Sequence, residues 1–127
     1  MRRADRAPVS VVIPCYRCQG TLGRALASVA AQTWPPAEVI VVDDGSPEGD
    51  AAEIRRVVDA YRALPVRYVR LDRNRGPGAA RNAGWEAATQ ELVAFLDADD
   101  SWHPRKLEIQ ARTMLDRPEL ALSGHRW

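Results

Sequence analysis

Leu92–Asp100 reads LVAFLDADD, an apolar run that ends directly in acidic residues. The stretch from Leu92 to Leu96 is short and uncharged, which predicts a strand of a parallel sheet with both faces covered. We therefore expect this strand to lie in the centre of the sheet. Asp97, Asp99 and Asp100 then follow at its carboxyl end.

The chain before this stretch alternates between strand and helix patterns. Three further strands are predicted at Val9–Cys15, Glu38–Val42 and Val66–Leu71, and an apolar stripe with helical spacing follows each of them. Arg67 and Arg70 interrupt the third strand, which indicates a position near a sheet edge. The repeated β-α unit predicts an α/β fold with a mainly parallel sheet flanked by helices, of the Rossmann type.

Local residues predict where the helices begin. Thr21 and Asp50 are candidate caps of the first and second helices, and Pro104 suits the first turn of the fourth. The third helix follows a glycine-rich turn, and its predicted inner face consists of small residues. These are Ala79, Ala80, Ala83 and Ala87.

The acidic residues after Leu96 are the strongest candidates for a functional site. Three carboxylates within four residues repel one another unless a cation offsets their charge, and oxygen ligands suit Mg²⁺ or Mn²⁺ bound with a phosphorylated substrate. The alternative is a solvated acidic turn that caps the next helix. Ligands of parallel α/β sheets bind beyond the carboxyl ends of the strands, where these residues are expected.

Asp43 and Asp44 form a second acidic pair at a predicted strand end. Their carboxylates could accept hydrogen bonds from a nucleoside base or a ribose hydroxyl. The alternative is a turn in which an Asp side chain bonds the backbone before Gly45. The pair gains weight because the same edge of the sheet carries the acidic cluster.

Asn74–Asn82 reads NRGPGAARN and combines a glycine-rich turn with a helix start. Backbone N–H groups and the helix dipole could bind an anion there, and Arg81 would add a positive charge. Gly76 and Gly78 match a dinucleotide-binding pattern, but Arg81 replaces its third glycine. A tight loop before a closely packed helix is the competing interpretation.

Composition narrows the class of protein. The chain has 127 residues, a net charge of +1 and 46% hydrophobic residues, which suits one globular domain and gives no case for a nucleic-acid partner. No apolar run is long enough for a transmembrane segment or a signal peptide. Cys15 and Cys18 suggest reduced thiols, and the C-x-x-C spacing is a weak redox signal. A cytoplasmic protein is expected.

Taken together, these stretches resemble the family 2 inverting glycosyltransferases, which have the GT-A fold. The resemblance runs in order through the chain and covers nearly all of residues 9–115. Its matching stretches are VSVVIPCY at 9–16, SVAAQTW at 28–34, EVIVVDDGS at 38–46, NRGPGAARNAG at 74–84 and LDADDSWHPRKLEIQ at 96–110.

The resemblance implies a role for each site residue. It assigns Asp97-Ala98-Asp99 to the D-x-D motif of the family, with Asp99 as the main ligand of Mn²⁺ or Mg²⁺, and with Asp97 or Asp100 as further candidates. The nucleotide, expected to be UDP, would contact a larger set. That set is Pro14, Tyr16, Asp43, Asp44, Gly76, Arg81, Asn82 and Asp97.

The resemblance also leads us to expect only the donor-binding half of such an enzyme. Residues 1–8 are expected to be a disordered basic N-terminus and residues 9–127 a domain that stops before the acceptor half. No catalytic residue is identified, because the general base of the family is expected beyond residue 127. Leu120–Leu122 could begin a fifth strand, and an incomplete sheet predicts a possible homo-oligomer.

The sequence leaves the partners and two alternative functions open. The acceptor could be a saccharide, a lipid-linked saccharide or a protein, and the protein could lie at the inner face of a membrane. One alternative is a fragment that binds nucleotide without turnover. The other is a haloacid-dehalogenase-type phosphatase, in which Asp97 would be the nucleophile and Asp99 the acid.

Overall fold

The computed structural model describes residues 6–117 of the chain. The predicted fifth strand at Leu120–Leu122 therefore lies outside the described residues. Within them, the elements alternate as four β-α units. The strands are β1 (Ala7–Cys15), β2 (Pro36–Asp43), β3 (Val66–Arg70) and β4 (Leu92–Phe95).

All four strands are parallel and form one sheet in the order β3-β2-β1-β4. This confirms the predicted α/β fold class and the edge position of β3. The helices are α1 (Leu22–Ala30), α2 (Glu48–Ala60), α3 (Pro77–Ala87) and α4 (Lys106–Asp116).

The helices cover the two faces of the sheet unequally. Buried residues of α1, α2 and α4 belong to the larger apolar core, and α3 packs on the smaller one. The central strands alternate between these cores, as a pleated strand requires. Val11 and Ile13 of β1 face the larger core, whereas Val12 faces the smaller one.

Within residues 6–117, β4 does not take the central position that was predicted for Leu92–Leu96. Among the described residues, β4 pairs with β1 alone and ends the sheet on that side. Its residues are nevertheless apolar because both faces have neighbours, with Leu92 and Ala94 against the larger core and Val93 against the smaller one. An apolar run thus reports covered faces and not the lateral position of a strand.

Helix α3 lies very close to β1. Gly84 is buried on its inner face, and a Cβ atom added there would collide with the side chain of Val12. The predicted inner face included Ala79, but the alanines that pack on the smaller core within α3 are Ala80, Ala83 and Ala87.

Several predicted boundaries shift. Strand β1 begins at Ala7, within the stretch expected to be a disordered N-terminus, because Ala7 already pairs with Pro36 of β2. Thr21 occupies the N-cap position of α1, but its hydroxyl donates to the Cys18 carbonyl and caps nothing. Asp50 lies within the first turn of α2, and Pro104 precedes α4.

Candidate functional site

The sheet reverses its direction of growth between β1 and β4. The chain moves from β1 outward to β2 and β3, and then returns through α3 to the opposite side of β1. Ligands of open α/β sheets bind at such switch points, beyond the carboxyl ends of the strands. A cavity of about 530 Å³ opens there, and six predicted residues line it: Pro14, Tyr16, Asp44, Gly76, Asp97 and Asp99.

The acidic residues after β4 converge in space. Asp97, Asp99 and Asp100 are exposed, and each offers a carboxylate oxygen within 4.8 Å of the others. Carboxylate oxygens at this spacing, open to solvent and to the cavity, fit a hard divalent cation such as Mg²⁺ or Mn²⁺. Asp97 and Asp99 line the cavity, whereas Asp100 is not among its lining residues.

Two arginines hold the acidic turn from different helices. The Arg81 guanidinium on α3 lies 3.3 Å from an Asp97 carboxylate oxygen. The Arg24 guanidinium on α1 donates to the main-chain carbonyl of Asp99 over 2.7 Å. Arg81 therefore contacts a cavity-lining residue, Asp97, although Arg81 itself does not line the cavity. Asn82 is exposed on α3 and does not line the cavity either.

Asp44 joins the end of β2 to the glycine-rich turn. Its carboxylate accepts hydrogen bonds from the backbone N–H groups of Arg75 at 2.8 Å and Gly76 at 2.9 Å, and from the Asn74 amide at 3.3 Å. Gly76 is the N-cap of α3 and has a φ of 96°, a conformation that glycine adopts without strain. Asp44 thus fixes the turn that forms one wall of the cavity.

Asp43 is the last residue of β2 and is fully buried. Its carboxylate accepts a hydrogen bond from the Ser46 backbone N–H at 3.0 Å and one from the Tyr68 hydroxyl. Burial, and then the hydrogen bond to Asp43 and its charge, raise the pKa of Tyr68 above its ordinary value. Asp43 is not among the cavity-lining residues, so the structure separates the two members of the predicted pair.

Gly45 follows the two acidic residues at a point where the backbone leaves no room for a side chain. It has a φ of 71°, and an added Cβ atom would collide with the backbone of Arg73 and Asn74. The turn after β2 and the glycine-rich turn therefore touch through their backbones at this point.

Three residues of the site were not predicted from the sequence. Asn74 bonds Asp44, Arg24 bonds the acidic turn, and Arg17 lines the cavity with a φ of 52°. The place of Asn74 at the start of the glycine-rich stretch was a usable signal. Arg24 gave none, because its contact lies 75 residues along the chain.

The structure corrects the interpretation of the cysteines as two reduced thiols. Cys15 and Cys18 form a disulfide that closes the turn between β1 and α1. Both residues line the cavity.

The family of the chain follows from a match along most of its length. Residues 10–126 match the model of glycosyl transferase family 2. The chain belongs to this family. Membership confirms the resemblance expected from the sequence, and it leaves the phosphatase alternative without support.

Relatives of the chain include proteins named for succinoglycan biosynthesis and for teichuronic acid biosynthesis. The chain is 41% identical over 118 residues to the succinoglycan biosynthesis protein ExoO of Rhizobium meliloti. This match covers 92% of the chain and 32% of ExoO. It is 38% identical over 111 residues to the putative teichuronic acid biosynthesis glycosyltransferase TuaG of Bacillus subtilis, covering 86% and 42% respectively. The chain thus spans between about a third and two fifths of the length of these relatives.

Solved structures share the GT-A fold at similar identity. The S. aureus TarS 1–349 complex with UDP-GlcNAc gives a TM-score of 0.77 at 31% identity, covering 87% of this chain and 32% of TarS 1–349. The mannosyltransferase PcManGT of Pyrobaculum calidifontis, solved with GDP-Man and Mn²⁺, gives 0.70 at 30% identity, covering 84% and 31%. In the described part of the chain, no helix is both long and apolar enough to cross a membrane.

Proposed function

We propose that this chain binds the nucleoside diphosphate part of a sugar donor, UDP in preference to other nucleotides, together with Mn²⁺ or Mg²⁺. In the whole protein, this site would serve inverting transfer of the sugar to an acceptor hydroxyl. The acceptor class remains among the saccharides, lipid-linked saccharides and proteins considered above.

One observation carries the proposal. Asp44 with its glycine-rich turn and the Asp97–Asp100 cluster come from distant parts of the sequence, yet they border a single cavity at the switch point of the sheet. The volume of about 530 Å³ is within the range of small-molecule sites, on the order of 300–1,000 Å³. A nucleotide placed there would have both a polar wall and a cluster of carboxylates within reach.

The acidic cluster is the proposed metal site. Asp99 is the main proposed ligand, as its place in the D-x-D motif of the family implies. Asp97 lines the cavity with it, and Asp100 belongs to the same cluster. When bound, a divalent ion would supply Lewis-acid stabilisation of the charge that builds on the departing diphosphate. Arg81 would add a second positive charge, since it already reaches Asp97.

The part of the cavity lined by Pro14, Tyr16 and Asp44 is the proposed nucleoside pocket. Pro14 and the half-exposed Tyr16 provide an apolar wall, and Asp44 provides a carboxylate that is 4% exposed. TarS complexes with UDP and UDP-GlcNAc have this fold and support the assignment to a uridine nucleotide. The assignments of Asp43 and Asn82 to direct nucleotide contact have weaker support, because neither residue lines the cavity.

Isothermal titration calorimetry with UDP tests the proposal. We expect binding in Mn²⁺ that is at least about tenfold tighter than in EDTA, because the ion links the diphosphate to the carboxylates. Equal affinity in the two buffers would contradict the metal role. Tighter binding of GDP than of UDP would contradict the choice of base, and absence of nucleotide binding in either buffer would contradict the proposal as a whole.

A further inference from the structure

The turn between β1 and α1 contains a disulfide that the proposed function does not use. Cys15 is the last residue of β1, and Cys18 lies four residues before the start of α1. Their Cα atoms are 5.6 Å apart, a separation at which a disulfide forms without movement of the backbone. Both residues are nearly buried, at 3% and 8% exposure, and both line the cavity.

The ring closed by this disulfide encloses two residues of the cavity wall. Tyr16 lines the cavity with 49% of its surface exposed, and Arg17 lines it next to Tyr16. Arg17 has a φ of 52°, which places a residue with a side chain in the left-handed region. Such a conformation is unfavourable for an arginine and persists only where its surroundings hold it.

The same turn is tied to the turn that carries Asp44. The Arg17 N–H donates to the Ser46 hydroxyl oxygen at 2.8 Å, and its guanidinium lies 2.9 Å from Asp50. The Cys15 carbonyl accepts the N–H of Asp44 at 2.7 Å. A change in the conformation of residues 15–18 would therefore reach both Tyr16 and the nucleoside side of the cavity.

We propose that Cys15 and Cys18 form a reversible redox site, and that the disulfide holds the Tyr16–Arg17 wall in the conformation that binds nucleotide. In the reduced protein, the hydrogen bonds of Arg17 to Ser46 and Asp50 remain but the covalent ring is lost, so that the wall would sample other conformations. The oxidised form then binds the nucleotide more tightly. The second half of this proposal rests on the proposed function, whereas the first half concerns the turn itself.

The chemistry requires a dithiol reductant. One of its thiolates attacks a sulfur of the Cys15–Cys18 bond, which breaks and leaves a mixed disulfide. The second thiol of the reductant then displaces the protein sulfur and closes the disulfide of the reductant. Two electrons and two protons pass to the protein, giving two thiols, and the reverse exchange restores the ring.

Nucleotide and redox state must influence each other to the same extent. If the oxidised form binds UDP more tightly by some factor, then UDP favours the oxidised form by the same factor. A nucleotide in the cavity would also cover both cysteines, since they line it. Bound UDP should therefore shift the equilibrium with a dithiol buffer toward the disulfide.

Two measurements on the oxidised and reduced forms of the full chain test the proposal. The first is calorimetry of UDP in Mn²⁺, where we expect reduction to weaken binding about fivefold or more. The second is amide hydrogen exchange of Arg17 followed by NMR, where we expect faster exchange after reduction. Mass spectrometry assigns the redox state of each sample, because the disulfide removes two hydrogens.

The double variant C15A/C18A is the matched control. It should reproduce the affinity and the Arg17 exchange of the reduced protein, and added reductant should change neither. Because the reduced native chain gives the same readouts, a variant that fails to fold leaves the test intact.

The outcomes separate this proposal from the proposed function. If neither form binds UDP, the proposed function fails and the Arg17 exchange alone decides the redox proposal. Equal exchange in the two forms overturns the redox proposal, and so does failure of an oxidant to form the disulfide. Different exchange with equal UDP affinity overturns the link to nucleotide binding.

Discussion

Asp43 and Asp44 are adjacent in the sequence, but their side chains lie in different surroundings. In a pleated strand, successive side chains point to opposite faces, and Asp43 continues the series of Val39 and Val41 toward the larger core. Asp44 follows on the opposite side and reaches the glycine-rich turn. The first carboxylate supports the turn, and the second shapes the cavity.

We expect Asp44→Ala to weaken UDP binding by about 1–3 kcal/mol, with or without metal, because a charge-assisted acceptor is lost from the cavity wall. Calorimetry in Mn²⁺ and in EDTA measures the change. Asp72→Ala is the matched control. Asp72 is an exposed acid in the loop after β3, which Asp44 contacts, and it pairs with Arg75 and does not line the cavity. If folded Asp44→Ala protein retains the native affinity, Asp44 only forms the turn.

We expect Tyr68→Phe to lower the free energy of unfolding by about 1–3 kcal/mol at pH 7, because the buried Asp43 carboxylate loses a donor. The pKa of Tyr68 is raised in the folded state, so the stabilisation is complete below its ordinary value of 10.0 and is lost as the pH rises further. Urea unfolding from pH 7 to pH 11 measures the free energy of unfolding of the native protein and of Tyr68→Phe.

The difference in unfolding free energy between the native protein and Tyr68→Phe should therefore shrink above pH 10. Tyr61→Phe is the control for the general loss of a tyrosine hydroxyl, because it removes a hydroxyl that donates to the Gly23 carbonyl. A stability difference for Tyr68→Phe that stays constant up to pH 11 would contradict the assigned contact.

At the level of elements, the approach of α3 to β1 positions the glycine-rich turn. Gly84 permits this approach, because any side chain there would meet Val12 of the central strand. The N-terminus of α3 is thereby held beside the ends of β1 and β4, where Gly76 and Pro77 line the cavity.

We expect Gly84→Ala to destabilise the protein by about 1–3 kcal/mol, because the added methyl group overpacks the contact with Val12. Gly78→Ala on the same helix is the matched control, since a Cβ atom there meets nothing within 4 Å. That control should be neutral or stabilising by up to about 1 kcal/mol, as alanine favours helix. Thermal and urea unfolding measure both; equal effects would contradict the packing argument.

Sequence patterns predicted the elements better than their arrangement. The four strands and the convergence of Asp44 with Asp97 and Asp99 follow from hydrophobic pattern and from the geometry of parallel sheets. The pairing of β4 with β1 alone within residues 6–117 does not follow, because an apolar strand covered by helices looks the same in the centre of a sheet and at its edge. The sequence also did not predict that Asp50 accepts hydrogen bonds from Arg17 and Gln19, because only the fold brings these residues together.

On the scale of the whole molecule, the charge distribution supports the proposed role of a metal ion. The net charge of +1 creates no strong field for an anionic diphosphate. The cavity itself carries the carboxylates of Asp44, Asp97 and Asp99. A diphosphate approaching these groups would be repelled unless a divalent cation bound with it.

A second feature of the whole molecule lies away from this site. A cavity of about 510 Å³ borders β4, and the exposed rings of Trp85 and Phe95 stack beside it with centroids 6.2 Å apart. The predicted homo-oligomer concerns this edge of the sheet and stays a prediction.

The central claim is that the carboxylates after β4 bind a divalent cation jointly with a nucleoside diphosphate. Titration of Mn²⁺ followed by electron paramagnetic resonance, with and without UDP, tests it most directly. We expect UDP to tighten Mn²⁺ binding by about tenfold or more. Asp99→Asn should abolish this gain, whereas Asp116→Asn, at the far end of α4, should leave it unchanged. Equal Mn²⁺ affinity with and without UDP, or an undiminished gain in Asp99→Asn, would contradict the account.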